Sequence, residues 1–599
     1  MLPELPADST LARLFRQAKA REAAHWFSLP GGQTLYTAGG PADHLYILRT
    51  GRLGAFRREA GQEPLFLGVI RPGEPAGEMA LVAGIPHSAD VVALRDSEVI
   101  ALPRDVFLEA CQADASVMTE LARLMILRTR QAATRGPMGE PSVFGFMSLG
   151  QPGAVRPTVE RLERQIAALG YSVTTVGVEA ASAPTEWFSD VERTHDFVLY
   201  VAEADDGGWR QVVARQVDRL FRVGRGDRGP PREPLRTASP LQAQQLVDII
   251  LLQPAGQERP SGSGAWLDAT GAARLFHVRR SGDEDIKRLA RVLTGQSVGL
   301  VLSGGGARAY AHVGAIKALR ERGVPIDFVG GVSMGAIVAA GCAMGWDDDE
   351  MDRRIREAFV DNSPLDDIAL PLLAMTQGVK VSERLAQHFG DTQIADLRLP
   401  FFCLSSNLTT GAYQLHRRGL LRQALRASIS LPGVLPPATD GTNVLVDGAV
   451  MKNYPADIMR ANQLGPIVGV DVTASRSITA EDVARPSSVW RWLRSGQWRN
   501  GPPIVSLLMR AATVSTGRDL AAAREATDVL VLPDVSRIEI RDWGAYDVAV
   551  EAGYRATLEA LDKLTRPVTE LRRRLSLAEE AASAVGRAPF ARAPSTAAE

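Results

Sequence analysis

Apolar positions change their rhythm along the chain. From about residue 28 to 103, short apolar runs alternate with glycine turns, as in "QTLYTAGGPADHLYILRTGRLGAFR" and "LFLGVIRPGEPAGEMALVAGIPHSADVVALRDSEVIALP". Repeated short strands with this punctuation predict a small antiparallel barrel or roll. The helical spacing of "RDVFLEACQADASVMTELARLMILRTRQ" closes it. From about Ser142 strands alternate with helices: "SVFGFMSL", "TVERLERQIAALG", "YSVTTVGV", later "DFVLYVAEA" and "LVDIILLQ". That is an α/β sheet in outline. Further on, "VGLVLSGGGARAYAHVGAI" (Val298–Ile316) reads as a strand, a glycine-rich loop and a helix, and "VPIDFVGGVSMGAIVAAG" as a strand turning sharply into a small-residue helix. "GRGDRGPPREPLRTASP" and "PAGQERPSGSG" are loops by composition. The alanine-rich end from about Ser576 is expected to fray or be disordered.

Composition narrows the class. At 599 residues the chain should fold as several domains, each with its own core. A net charge of -1 with no basic domain or long Lys/Arg run gives no case for nucleic acid. Cys111, Cys342 and Cys403 are scattered without metal-like spacing and read as single buried thiols in a reducing compartment. "MLPELPADSTLARLF" lacks a basic region followed by an apolar core, so no signal peptide is expected. No run of about 20 apolar residues is available for crossing a bilayer. The nearest, Phe328 to Met344, belongs to the strand and helix above.

Glycines at a strand-to-helix turn let backbone N–H groups face an anion, which could be a phosphate or the oxyanion of an ester under attack. Gly304, Gly306 and Ala309 fit the dinucleotide spacing G-x-G-x-x-G/A. A Rossmann unit then needs an acidic residue after the next strand. Here that strand ends in Gly331-Val332-Ser333-Met334-Gly335, a G-x-S-x-G nucleophile elbow. A Walker lysine is absent from both loops, and from "LGQPGAVRPT" in the middle region, so nucleotide hydrolysis is not expected. A serine needs a base. His416 is the last histidine in the chain and precedes Asp447, against the order Ser, Asp, His of α/β-hydrolases. His312 reads as a helix-packing residue and His388 as a surface residue. What remains is "VLVDGAVMKNYP": Asp447 could act as general base if burial lifts its pKa, although alone it would read as an ordinary Asp-Gly turn.

The set "GGGARAYAHVG", "GGVSMG" and "DGAVMKN" resembles the patatin-like phospholipases, lipid acyl hydrolases with a Ser-Asp dyad and a glycine-rich oxyanion loop. The resemblance implies Ser333 as nucleophile, Asp447 as dyad base, and Gly304, Gly305, Gly306 and Arg308 as the G-G-G-x-R part of the oxyanion loop, the backbone N–H groups of Gly304 to Gly306 holding the oxyanion. Ala309 departs from the family's usual glycine. "RLARVLTGQSVGLVLSGGGAR", "RGVPIDFVGGVSMGAI" and "RASISLPGVLPP" look more narrowly like the neuropathy target esterase branch, which acts on lysophospholipids and carries cyclic-nucleotide-like domains upstream. The N-terminal third resembles a cyclic-nucleotide-binding domain, with turns at Gly39, Gly51 and Gly73 and a short helix starting at Gly77-Glu78. In that family an arginine in an R-S/T-A segment neutralises the cyclic phosphate; here the segment is Pro86-His87-Ser88-Ala89. A largely neutral histidine lacks the guanidinium's permanent charge and fork. The expected role is therefore structural or inter-domain, with Glu78 in a solvated loop.

The resulting expectation is a multidomain chain: a cyclic-nucleotide-binding-like β-roll (1–135), a middle α/β scaffold domain (140–284), a C-terminal α/β patatin-like hydrolase domain (285–565) and a helical to disordered tail (566–599). Its expected work is hydrolysis of phospholipid or lysophospholipid acyl esters in the cytoplasm, with no cofactor or metal and only peripheral membrane contact. An acyltransferase using the same acyl-enzyme, or an inactive ligand-sensing scaffold, are the alternatives. Trp490, Trp492 and Trp498, beside Arg491, Arg494 and Arg499, read either as a membrane-docking edge or as a segment packed on the catalytic domain.

Overall fold

The computed structural model describes residues 18–57, 65–114, 116–119, 121–123, 125, 141–150, 155–231, 246–254, 256, 259–279, 282–361, 367, 369, 374–473 and 517–579. The tryptophan segment and most of the tail lie outside them. The chain divides into two compact units, one of Met1–Val223, Pro231–Asp248 and Arg574–Glu599, the other of Gly224–Pro230 and Ile249–Arg573.

The first unit opens with the expected roll, made of two four-stranded antiparallel sheets. One runs His25–Leu29, Ser97–Pro103, His44–Thr50, Pro75–Ala76; the other Thr34–Tyr36, Asp90–Ala93, Leu53–Arg57, Leu65–Ile70. Alternation decides the packing: Leu48, Leu53, Val91 and Val99 fill one core, while Leu45, Ile47, Ile100 and Leu102 face another with Phe107 of the helix Arg104–Ala113. Gly39, Gly51 and Gly73 all take positive φ, as the turns require. The same unit holds parallel strands in the order Val173–Val176, Phe197–Ala202, Val143–Ser148, Arg219–Arg225. "VFGFMS" and "FVLYVA" are buried throughout, as strands covered on both faces are. Within this unit Arg52 pairs with Asp218 and Arg95 with Glu192, joining roll to parallel strands by ion pairs with little exposure.

In the second unit an eight-stranded sheet runs Ala438–Asp440, Asn443–Asp447, Phe401–Asn407, Phe328–Val332, Gly299–Leu302, Ile467–Val470, Val529–Val531, with Ala412–His416 paired to Phe401–Asn407. The strands from Phe401–Asn407 to Val529–Val531 are parallel. Chain order reverses at Gly299–Leu302, first to one side and later to the other, and such a switch point opens a crevice at the carboxyl ends of the strands. The glycine loop and the elbow leave the sheet there. The helix Met334–Met344 is buried from Met334 to Ala343, which explains its unbroken run of small and apolar residues. Helix Ala311–Glu321 packs on Tyr546–Asp562 with no room for side chains: a Cβ on Gly314 would lie 1.9 Å from the Val550 carbonyl oxygen, and one on Gly553 1.8 Å from that of Ala311.

Candidate active site

Ser333 follows the last residue of the strand Phe328–Val332 and precedes the first of the helix Met334–Met344, at φ 55° and ψ -132°. It is the only non-glycine residue with positive φ among the described residues. Such strain persists only where surrounding structure fixes it. On the helix side, a Cβ on Gly335 would lie 2.4 Å from the Ser303 carbonyl oxygen, so glycine is needed for the turn to pack on the neighbouring strand end. The Ser333 backbone N–H donates to Ser428 Oγ at 2.9 Å.

Asp447 ends the strand Asn443–Asp447. Antiparallel pairing sets Asp447 opposite Ser405, and parallel pairing sets Leu404 opposite Val332. The two registers bring the carboxylate to the elbow. Ser333 Oγ donates to Asp447 Oδ2 at 2.6 Å, and the Ala449 N–H to Oδ1 at 2.9 Å. Asp447 is buried, and burial pushes its pKa up to about 6 against the lowering effect of those two hydrogen bonds. The following Gly448 is obligatory, since a Cβ there would meet the Leu404 carbonyl oxygen at 2.5 Å.

The glycine loop lies against the elbow: a Cβ on Gly304 would be 3.0 Å from that of Ser333. The expectation that the Gly304 N–H faces an oxyanion is corrected: it donates to Asn453 Oδ1 at 3.1 Å while Asn453 Nδ2 donates to the Gly304 carbonyl at 3.2 Å. The N–H groups of Gly305 and Gly306 meet no acceptor among the described residues, and both glycines are partly exposed. Gly306 is left-handed (φ 56°), and a Cβ there would lie 2.2 Å from the Ile540 carbonyl oxygen. Ala307 N–H donates to that same oxygen at 2.8 Å, and Arg308 Nε to the Ile538 carbonyl at 2.6 Å. Arg308 thus ties the loop to the segment beneath it. Ala309 is buried and has no positive φ, so alanine is accommodated.

His312 is fully buried, its Nε2 2.8 Å from the Ser303 carbonyl oxygen, and burial takes its pKa down to about 4. It packs, as expected. His416 pairs with Ser405 Oγ at 2.7 Å. Two further expectations are corrected. His388 is buried rather than on the surface, because its helix Val379–Phe389 turns that face inward with Val381, Leu385 and Phe389. Glu78 is buried at the start of the helix Glu78–Ala83, not in a solvated loop. The three cysteines are free and buried. Asn453 and Ser428 were not singled out from sequence. Asn453 stands in the same "DGAVMKN" as Asp447, and Ser428, 95 residues from Ser333, stands in "RASISLPGVLPP", where the family resemblance marked the segment but no chemical role for the serine.

A parallel sheet with a strained serine at its switch-point edge, beside a glycine loop with two N–H groups that meet no acceptor among the described residues, has the geometry of a nucleophile elbow. Residues 300–460 match the patatin-like phospholipase family, and residues 26–114 the cyclic nucleotide-binding domain. The chain is 33% identical over 580 residues to an uncharacterized NTE family protein of Mycobacterium tuberculosis (strain CDC 1551 / Oshkosh), covering 94% of this chain and 96% of that one. It belongs to the NTE family. It is also 28% identical to patatin-like phospholipase domain-containing protein 6 of Homo sapiens, over 89% of this chain and 44% of that protein. With neuropathy target esterase sws of Drosophila melanogaster the identity is 27%, over 89% and 42% respectively. The chain therefore spans less than half the length of those two relatives.

Proposed function

We propose that this protein is a serine esterase that hydrolyses acyl ester bonds of phospholipids or lysophospholipids through Ser333 and Asp447. The observation that carries the reading is the 2.6 Å hydrogen bond from a strained serine to a buried carboxylate. Asp447, with a pKa near 6, is ionised at neutral pH and still basic enough to take a proton. Ser333 Oγ attacks the acyl carbonyl as its proton passes to Asp447 Oδ2. The carbonyl oxygen, now negative, is held by the N–H groups of Gly305 and Gly306, with Gly304 and Arg308 fixing the loop. Asp447 returns the proton to the departing alcohol, leaving an acyl-serine. Water, deprotonated by Asp447, releases the fatty acid.

Lipid access is proposed to be peripheral; no helix of the described residues is long and apolar enough to cross a membrane. The roll is read as a structural module rather than a cyclic-nucleotide receptor. His87 is buried and stacked on Tyr36 at 3.7 Å and 13°, and burial lowers its pKa, so the ring stays neutral. A fluorophosphonate probe tests the esterase reading: it should label the wild type and not Ser333→Ala. Mass spectrometry of a mixed phospholipid and lysophospholipid panel should then show free fatty acid. Labelling of Ser333→Ala equal to wild type would defeat the assignment.

A further inference from the structure

We infer that the segment Ser428–Ser430, at the end of the helix Leu421–Ser428, is a clamp that positions the nucleophile and the base relative to one another. The inference rests on the Ser333–Asp447 reading above. Ser428 Oγ accepts from the Ser333 backbone N–H at 2.9 Å, and two residues later the Ser430 carbonyl accepts from the Asp447 backbone N–H at 2.9 Å. Both serines are fully buried. One three-residue stretch thus holds the backbones of two residues that are 114 positions apart in the chain.

The stretch is itself fixed. Ser430 Oγ donates to the Arg426 carbonyl at 2.7 Å and accepts from Arg426 Nη1 at 2.7 Å, while Arg426 Nη2 donates to the Pro436 carbonyl at 3.1 Å. Ser333 needs such a partner. It lies between the strand and the helix, and the Ser428 hydroxyl receives its N–H in the strained conformation. Loss of that acceptor leaves a partly buried donor unpaired at a strained residue, which relaxes by moving. Movement of Ser333 weakens its bond to Asp447, a bond that holds the Asp447 pKa down. Ser428 touches no substrate in this account; it is a positioning residue.

The test uses the full chain, with Ser428→Ala, the near-isosteric Ser428→Cys, and Ser333→Ala in parallel. The readouts are kcat, KM and the pH profile on a short soluble acyl ester, fluorophosphonate labelling, and thermal melting. For Ser428→Ala the expected result is kcat lower by roughly 30-fold, in line with a small misplacement of a reacting group, with KM within about twofold of wild type. The acid limb of the profile should move to higher pH. Ser428→Cys should move the same way by less. Wild-type kcat with an unmoved acid limb in either folded variant overturns the clamp, and so does a kcat loss that only tracks the folded fraction. If Ser428→Ala does not fold, Ser428→Cys decides on the same readouts; failure of both to fold makes Ser428 merely structural and overturns the inference. Labelling of Ser333→Ala would sink the dyad reading and the clamp with it, whereas an unlabelled Ser333→Ala beside wild-type-like Ser428 variants sinks the clamp alone.

Discussion

Two glycine-bearing turns at helix starts meet opposite ends in this molecule. In the catalytic domain, Gly304 to Gly306 approach Ser333 and leave two N–H groups that meet no acceptor among the described residues. In the roll, Gly77, at φ 84°, begins the helix Glu78–Ala83, and a Cβ there would lie 3.1 Å from His87 Cε1. The space above that glycine is filled by the protein's own imidazole, which is stacked on Tyr36. Glycine permits a close approach of backbone to something. What approaches is decided by neighbours: in one place a strained hydroxyl and a buried carboxylate, in the other a neutral aromatic ring.

The largest effect should come from removing the chemistry of the open turn. Ser333→Ala and Asp447→Asn are each expected to lower kcat by on the order of 10³ or more, with the double variant little worse, because the two act as a unit. Near-additive losses, measured by steady-state kinetics, would show two independent contributions. Closing the open turn comes next. Gly306→Ala must give up φ 56° and collide with the Ile540 carbonyl, so kcat should drop by about 10²-fold, the scale of losing an oxyanion donor. Near-normal turnover by a folded Gly306→Ala would remove the loop from the mechanism.

A pH profile sharpens the contrast. Activity should rise with pH through about 6 as Asp447 ionises, since the base must be charged. The sign for stability is opposite. Asp447 has a folded pKa above its ordinary 3.8, so the folded state holds the proton more tightly, and this group's contribution is full below 3.8 and is lost as pH rises through about 6. Asp447→Asn should therefore melt higher than wild type at pH 8, with the gap closing toward pH 3.5. An equal gap at both pH values would mean the carboxylate is not buried.

Smaller effects concern the filled turn and the packed histidine. Isothermal calorimetry should detect no cyclic AMP or cyclic GMP binding to the wild type at micromolar concentration, and weak binding to His87→Arg, which supplies the missing permanent charge. Heat from the wild type would reverse the contrast between the two turns. His312→Gln should keep kcat within a few-fold. A loss as large as that of Ser333→Ala would point to a histidine base.

The rhythm of apolar positions and the placing of glycine specified much of this protein. Short strands with glycine turns are enough for a roll, because each φ-positive turn and each alternation is a local fact. The elbow was legible in Gly331-Val332-Ser333-Met334-Gly335 for the same reason: a strained strand-to-helix turn has to be written in adjacent residues. Asp447 was singled out mainly through a motif, since nothing local distinguishes a proposed base from a turn aspartate. Periodicity missed the burial of His388, which depends on what its helix packs against. Only the tertiary structure decided that Gly304 is held by Asn453 and Ser333 by Ser428, and that the Asp447 carboxylate is desolvated enough to sit near pH 6. Those are properties of strand register and burial. They join residues more than 90 positions apart, and no local pattern in a single chain encodes a contact whose two halves are chosen independently.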